Sequence, residues 1–216
     1  MKAAAIREKT SDPDNQDAAS TYNSIGQVYD SLRDYKDALK WHMEAWDILE
    51  KVLGLDDPET ATTCNNIGMA HYNQADYPAA LEWYLKAAGI REKALGIDSL
   101  ETASSYGKIS NAHYQMRNYQ EALEWDMKAL TIREEVLGVD HKSTALSYNN
   151  IGATYDKLGD YHTALEWHLK ALTVKEKLFG PHDPSTLITY KKLASTYANL
   201  GDEDKAEEYR RKVQMS

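Results

Sequence analysis

Apolar and aromatic residues recur at three- and four-residue steps along nearly the whole chain, and the pattern itself repeats. Between Pro58 and Gln74, Ala61, Cys64, Ile67, Gly68 and His71 fall on one face of a helix. Asp57 stands where it can cap that helix, and Pro58 suits a first turn that needs no amide donor. From about Pro78 to Leu95 a second helical face carries Ala80, Leu81, Tyr84, Ala87, Ala88, Ile90, Ala94 and Leu95. A 42-residue shift reproduces both helices: Ile151-Gly152 becomes Ile109-Ser110, Ile67-Gly68 and Ile25-Gly26 toward the N-terminus, and Leu193-Ala194 toward the C-terminus. The Ala-Leu-x-Trp of Ala164 to Trp167 recurs at Ala122, Ala80 and Ala38. A fixed period of this size describes one supersecondary unit stacked on itself, which is a solenoid.

The pattern predicts helices near 16–32, 36–53, 58–74, 78–95, 100–116, 120–137, 142–158, 162–179, 184–200 and 203–213, with no strand. These group into repeats over 13–54, 55–96, 97–138, 139–180 and 181–216. Residues 1–12 read as the tail of a preceding, truncated repeat, because Lys2 to Lys9 matches Lys86 to Lys93. A short helix near 2–10 and association between chains through that N-terminal face follow as expectations. In the last repeat Glu203 and Glu207 stand where earlier units have Tyr and Leu, the polar outer face of a capping repeat. The helix caps form a column of Asn15, Asp57, Ser99 and Asp183, with His141 its weakest member. Gly54, Gly96, Gly138 and Gly180 close the second helices, and Gly159 suits a left-handed turn between helices. Small residues in the Gly68 and Ala80 columns allow the two helices of a unit to approach closely. The Trp41, Trp83, Trp125 and Trp167 column, continued by Tyr209, reads as core.

Composition narrows the function. With 42% hydrophobic residues, five Trp and fifteen Tyr, the chain can bury a continuous core between units. The formal net charge of −9 argues against nucleic acid, whose phosphates call for clustered Lys and Arg. The single cysteine, Cys64, suits a reducing compartment, and no apolar run approaches membrane-spanning length, so a cytoplasmic protein with no membrane partner is the expectation.

The two-helix unit, with small residues at Gly152 and Ala164, Tyr155 in its first helix and Ala171 late in its second, resembles a tetratricopeptide repeat. The period of 42 and the Leu137-Gly138-Val139-Asp140-His141 loop are similar to the repeats of kinesin light chains, although Asn-Asn-Ile-Gly stands here where that family tends toward Asn-Asn-Leu-Ala. The resemblance implies an all-α, right-handed α-solenoid of antiparallel helix pairs. It also implies a protein–protein interaction scaffold whose first helices line a concave groove that holds a peptide or helical segment of a partner. Carried onto this sequence, the groove face comprises Asn23, Gln27, Asn65, Met69, Tyr72, Asn73, Asn111, Tyr114, Gln115, Asn149, Lys157 and Lys191. The Asn column is expected to pair with the main chain of a bound peptide, since an amide both donates and accepts. Lys108, Lys157, Lys191 and Lys192 favour an acidic group on the ligand. A self-assembling module and a sensor or regulatory module of a larger protein are the alternative readings.

Catalysis finds no support. HExxH, CxxC and GxSxG are absent, and Gly107-Lys108-Ile109-Ser110 lacks the leading glycine of a phosphate loop. No histidines show metal-ligand spacing, so neither a metal nor a cofactor is expected. His71 and His113, in the column of Tyr29 and Tyr155, read as buried, hydrogen-bonded core histidines.

Overall fold

The structure, a computed structural model, describes residues 16–215, so Asn15 and the segment matched to Lys86–Lys93 lie outside the described residues. Ten helices fill it, with no strand among the described residues: α1 (Gln16–Ser31), α2 (Tyr35–Val52), α3 (Pro58–Asn73), α4 (Tyr77–Leu95), α5 (Leu100–Gln115), α6 (Tyr119–Leu137), α7 (Lys142–Leu158), α8 (Tyr161–Phe179), α9 (Pro184–Asn199) and α10 (Glu203–Gln214). Each begins and ends within about a residue of its predicted bounds, because caps mark the ends in the sequence. The fold is all-α, of the solenoid class built from antiparallel helix pairs. The chain divides into two compact units, Met1–Met116 and Arg117–Ser216. The first therefore contains α1 to α5 and the second α6 to α10.

Aspartates start most of the helices. Asp57 accepts from the Glu59 amide at 2.8 Å, Asp183 from Ser185 at 2.8 Å and Asp202 from Lys205 at 3.0 Å. His141, expected to be the weak cap, does the same work through Nδ1, which accepts from the Ser143 amide at 3.1 Å. Gly159 closes α7 at φ 82° and ψ 4°, the left-handed turn expected of it. The equivalent turn after α3 is built on Ala75 at φ 62°, where a β-carbon is unfavourable.

Within a pair, glycine sets the approach. A β-carbon on Gly68 would lie 2.6 Å from the Tyr84 ring, and one on Gly26 would lie 2.5 Å from His42 Cε1. Next-door packing joins the aromatic columns. Tyr22 meets Trp41 at 5.2 Å between ring centroids in the first unit, and Tyr148 meets Trp167 at 5.7 Å in the second. The tryptophan column is core, half-buried, with the lysine one turn on lying over the ring at Trp83 and Trp167.

Candidate interaction surface

The first helices lie side by side within each unit, α1, α3 and α5 in the first and α7 and α9 in the second. Polar bonds between them fix that placement. Asn23 Nδ2 donates to Thr63 Oγ1 at 2.6 Å, and Gln115 Nε2 donates to the Tyr72 hydroxyl at 3.0 Å. In the second unit Asn149 Nδ2 donates to Thr189 Oγ1 at 2.8 Å.

These bonds correct the reading of the Asn column. Asn65 and Asn149 are only 3% and 2% exposed, so neither can meet a peptide from solvent. Their amides are spent inside the protein. With its oxygen turned toward the guanidinium, Asn65 accepts from Arg91 at 2.8 and 3.1 Å. Asn149 Oδ1 lies 3.2 Å from His168 Nδ1, and Asn23 Oδ1 lies 2.9 Å from His42 Nδ1. The column is a seam that ties a first helix to its own second helix and to the next first helix. A sequence pattern of exposed-looking amides cannot reveal this, because the partner histidine is 19 residues away.

The histidines of that seam, His42 and His168, are fully buried. His168 Nε2 lies 3.1 Å from Asp156, which also accepts from Thr196 Oγ1 at 2.9 Å. His42 Nε2 lies 3.2 Å from Asp30 Oδ2, but Asp30 Oδ1 is buried with no partner. The cause is legible: Thr196 belongs to a column that has Ala70 in the first unit. Ala70→Thr should therefore supply the missing donor and raise stability by about 1 kcal/mol, read as a shifted urea midpoint. An unchanged or lower midpoint would show that Asp30 gains nothing from it. His71, by contrast, is half-buried with Nδ1 3.5 Å from Asp76, so full burial falls to other histidines than those expected.

A second seam uses the second helices. Arg91 donates to the Glu101 carbonyl at 3.1 Å and to Ser105 Oγ at 2.9 Å. In the second unit Arg133 reaches Ser147 Oγ at 2.5 Å, and Lys175 reaches the Ser185 carbonyl at 3.0 Å and Thr189 Oγ1 at 3.1 Å. Burial, with Lys192 close by, lowers the Lys175 ammonium to about 8.

What remains facing outward on the first helices is a stripe at four-, seven- and eleven-residue steps. In the first unit Gln27, Asn73, Asn111 and Gln115 are exposed, while Met69, Tyr72 and Tyr114 are half-buried. Tyr72 also packs edge-on against Tyr77, at 5.2 Å. In the second unit the stripe runs Leu146, Asn150, Ala153, Lys157 on α7 and Ile188, Lys192, Ser195, Asn199 on α9. Leu146 and Ile188 are 53% and 51% exposed, and they occupy the same register 42 residues apart. Residue-by-residue reading missed them because neither breaks the helical pattern; a period-42 alignment of exposed positions would have found them. Lys192 is half-buried and its ammonium is lowered mainly by desolvation, with Asp156 opposing and Lys157 adding to the shift. Lys191 lines a cleft of about 470 Å³ together with the stripe residues Ser195 and Asn199 and with Arg210.

No cluster of His, Cys, Asp and Glu among the described residues is arranged to hold a metal. No described helix is long and apolar enough to cross a membrane.

The sequence profile of the tetratricopeptide repeat matches residues 17–93, 59–135, 101–177 and 157–213. The chain belongs to the tetratricopeptide repeat family, whose arrays serve as protein-interaction scaffolds. Its fold is similar to the nearly identical TPR-like repeats of a Podosopora anserina protein described as a kinesin light chain. That likeness has a TM-score of 0.82 at 19% identity over 93% of this chain and 94% of that one. BtubC (BKLC) from P. vanneervenii is similar at TM-score 0.83 and 21% identity, over 93% and 80% of the two chains. A Rap protein complexed with competence and sporulation factor matches at TM-score 0.70 and 19% identity, over 89% of this chain and 52% of that one. No protein of curated function matches the sequence.

Proposed function

We propose that this chain holds a short segment of a partner polypeptide on its exposed first-helix stripes, as a cytoplasmic binding scaffold without catalytic activity of its own. The observation that carries the reading is the second unit's stripe. Leu146 and Ile188 offer two exposed apolar side chains in one register, and Lys157 and Lys192 offer cations further along the same faces. Their chemistry fits a segment with a large apolar residue followed by a carboxylate. The carboxylate can come from Asp, Glu or a chain end. Gln27, Met69, Asn73, Asn111 and Gln115, with Tyr72 and Tyr114, form the corresponding, more neutral surface in the first unit, and Lys191 adds charge beside the last helix pair. The occurrence of a bound factor on the related Rap fold supports a ligand-holding role.

Selection of peptides from a random display library on the immobilised chain tests this. Recovered sequences are expected to combine an apolar residue with an acidic one. Affinity for a recovered peptide should fall at least about tenfold in a Leu146→Ser/Ile188→Ser double variant, the size expected for losing two buried apolar contacts. It should also fall as salt rises, and Lys157→Ala with Lys192→Ala should remove that salt dependence. A peptide that binds the charge and apolar variants as well as the parent would place the surface elsewhere.

A further inference from the structure

We infer that the first unit carries a pocket for a hydroxylated aromatic ring, a phenol, at the first-helix position where the repeat lacks its own. The first helices carry a tyrosine column, Tyr22, Tyr106, Tyr148 and Tyr190, interrupted at Cys64. Each described interface shows what that tyrosine does. Its hydroxyl donates to a glutamate of the preceding second helix: Tyr106 to Glu92 at 2.8 Å, Tyr148 to Glu134 at 2.6 Å, and Tyr190 to Glu176. Its ring packs on the aromatic residue 19 positions on, as in Tyr22 with Trp41 and Tyr190 with Tyr209 at 5.8 Å.

At Cys64 the acceptor is kept and the ring is gone. Glu50 stands in the glutamate column, and among the described residues it has no hydrogen-bond or ion-pair partner. Trp46 has taken over the ring contact, meeting Trp83 edge-on at 5.4 Å, where its column otherwise holds Ala88, Leu130 and Leu172. That leaves the Trp46 Nε1–H buried with no oxygen or nitrogen acceptor and only the Cys64 sulfur toward it. Trp46 does not fill the space. A cavity of about 430 Å³ remains, lined by Trp46, Glu50, Cys64 and Gly89 among others. Gly89 is the second departure from the repeat, standing where Asp47, Thr131 and Thr173 stand, and a β-carbon there would touch nothing.

The rim, by contrast, is ordinary for this array. Lys93 pairs with Asp56 at 3.1 Å just as Lys177 pairs with Asp140 at 2.5 Å. The cavity is therefore a tyrosine-binding interface with the tyrosine removed. Its volume lies within the range of small-ligand pockets, about 300–1,000 Å³. Burial pushes the Cys64 thiol up to about 11, so at neutral pH it is an uncharged wall. An aromatic ring in the cavity can lie against Trp46, with Glu50 at the wall as acceptor for its hydroxyl. The phenol can arrive as a free small molecule or as the side chain of a partner's tyrosine.

Ligand-detected NMR titration of the full chain with p-cresol, toluene and N-acetyl-tyrosinamide tests the inference. Saturable binding of p-cresol is expected, at least fivefold tighter than toluene, and Glu50→Gln should narrow that ratio without weakening toluene. Binding of N-acetyl-tyrosinamide as tight as that of p-cresol would identify a protein side chain as the source, and binding of p-cresol alone a free phenol. The double variant Cys64→Tyr/Trp46→Leu, which restores the residues of the other interfaces, should abolish binding. Gly89→Thr, a milder change at the cavity wall, should weaken it at least threefold and serves where the double variant does not fold. Absence of saturable binding by either phenol, equal binding of toluene and p-cresol, or undiminished p-cresol binding by Gly89→Thr would overturn the proposal.

Discussion

Gly152→Ala is expected to destabilise the second unit by about 2 kcal/mol, although alanine normally favours a helix interior over glycine by about 1 kcal/mol. The added β-carbon would lie 2.6 Å from His168 Cε1 and 2.7 Å from Nδ1, closer than real contacts allow. The ring cannot turn aside cheaply. Nδ1 is held by the buried Asn149 at 3.2 Å and Nε2 by the half-buried Asp156 at 3.1 Å. Rotating the imidazole would break both bonds and leave the buried Asn149 amide oxygen unpaired, and separating the helices would open the seam to the next repeat. Gly89→Ala is the matched control, because a β-carbon there meets nothing within 4 Å and only the helix preference remains. Urea unfolding followed by far-UV dichroism should move the two midpoints in opposite directions. A Gly152→Ala protein as stable as the parent would show that His168 is free to yield.

Much of the fold was legible because the same physical instruction is written five times. Asp and Ser caps, Pro58 and Pro184 in first turns and the closing glycines bounded each helix, and the period removed the ambiguity that a single helix leaves. The surface was read less well, for a reason that Asn149 illustrates. Its neighbours in sequence give no sign that His168 and Thr189, 19 and 40 residues away, will enclose it, and a buried amide is unmarked when its partners come from other helices. Asn65 was misread in the same way, with Arg91 as its hidden partner. Asn111 does face outward, and Gln115 stays exposed while donating to the Tyr72 hydroxyl. The interruption at Cys64 was visible in the sequence, but its meaning was not. It takes the Tyr106–Glu92 and Tyr148–Glu134 bonds to show that Glu50 has been left with an acceptor and no donor.

Acidification should weaken the array well above the range in which carboxylates protonate. Desolvation by burial is the largest influence on both His42 and His168 and lowers each below the ordinary histidine value of 6.5, against the opposing effect of Asp30 and Asp156. Lys192 on the next first helix and Lys175 on the same helix as His168 lower it further. With a folded value below the unfolded one, the unfolded chain binds more protons as the pH falls, so stability rises with pH in this window. It is fully present above about 6.5 and declines as the pH drops from there toward the folded value. Each histidine can contribute a slope of up to about 1.4 kcal/mol per pH unit, so the step from pH 6.5 to 5.5 costs at most about 3 kcal/mol for the pair. Thermal midpoints measured from pH 8 to 5 should be flat at first and then fall. In a His42→Gln/His168→Gln protein the midpoint should be lower at pH 8 but nearly level down to pH 5.5, since glutamine occupies the seam without titrating. Were the parent and the variant to fall in parallel, other groups would be responsible and the two buried histidines would be no more than packing.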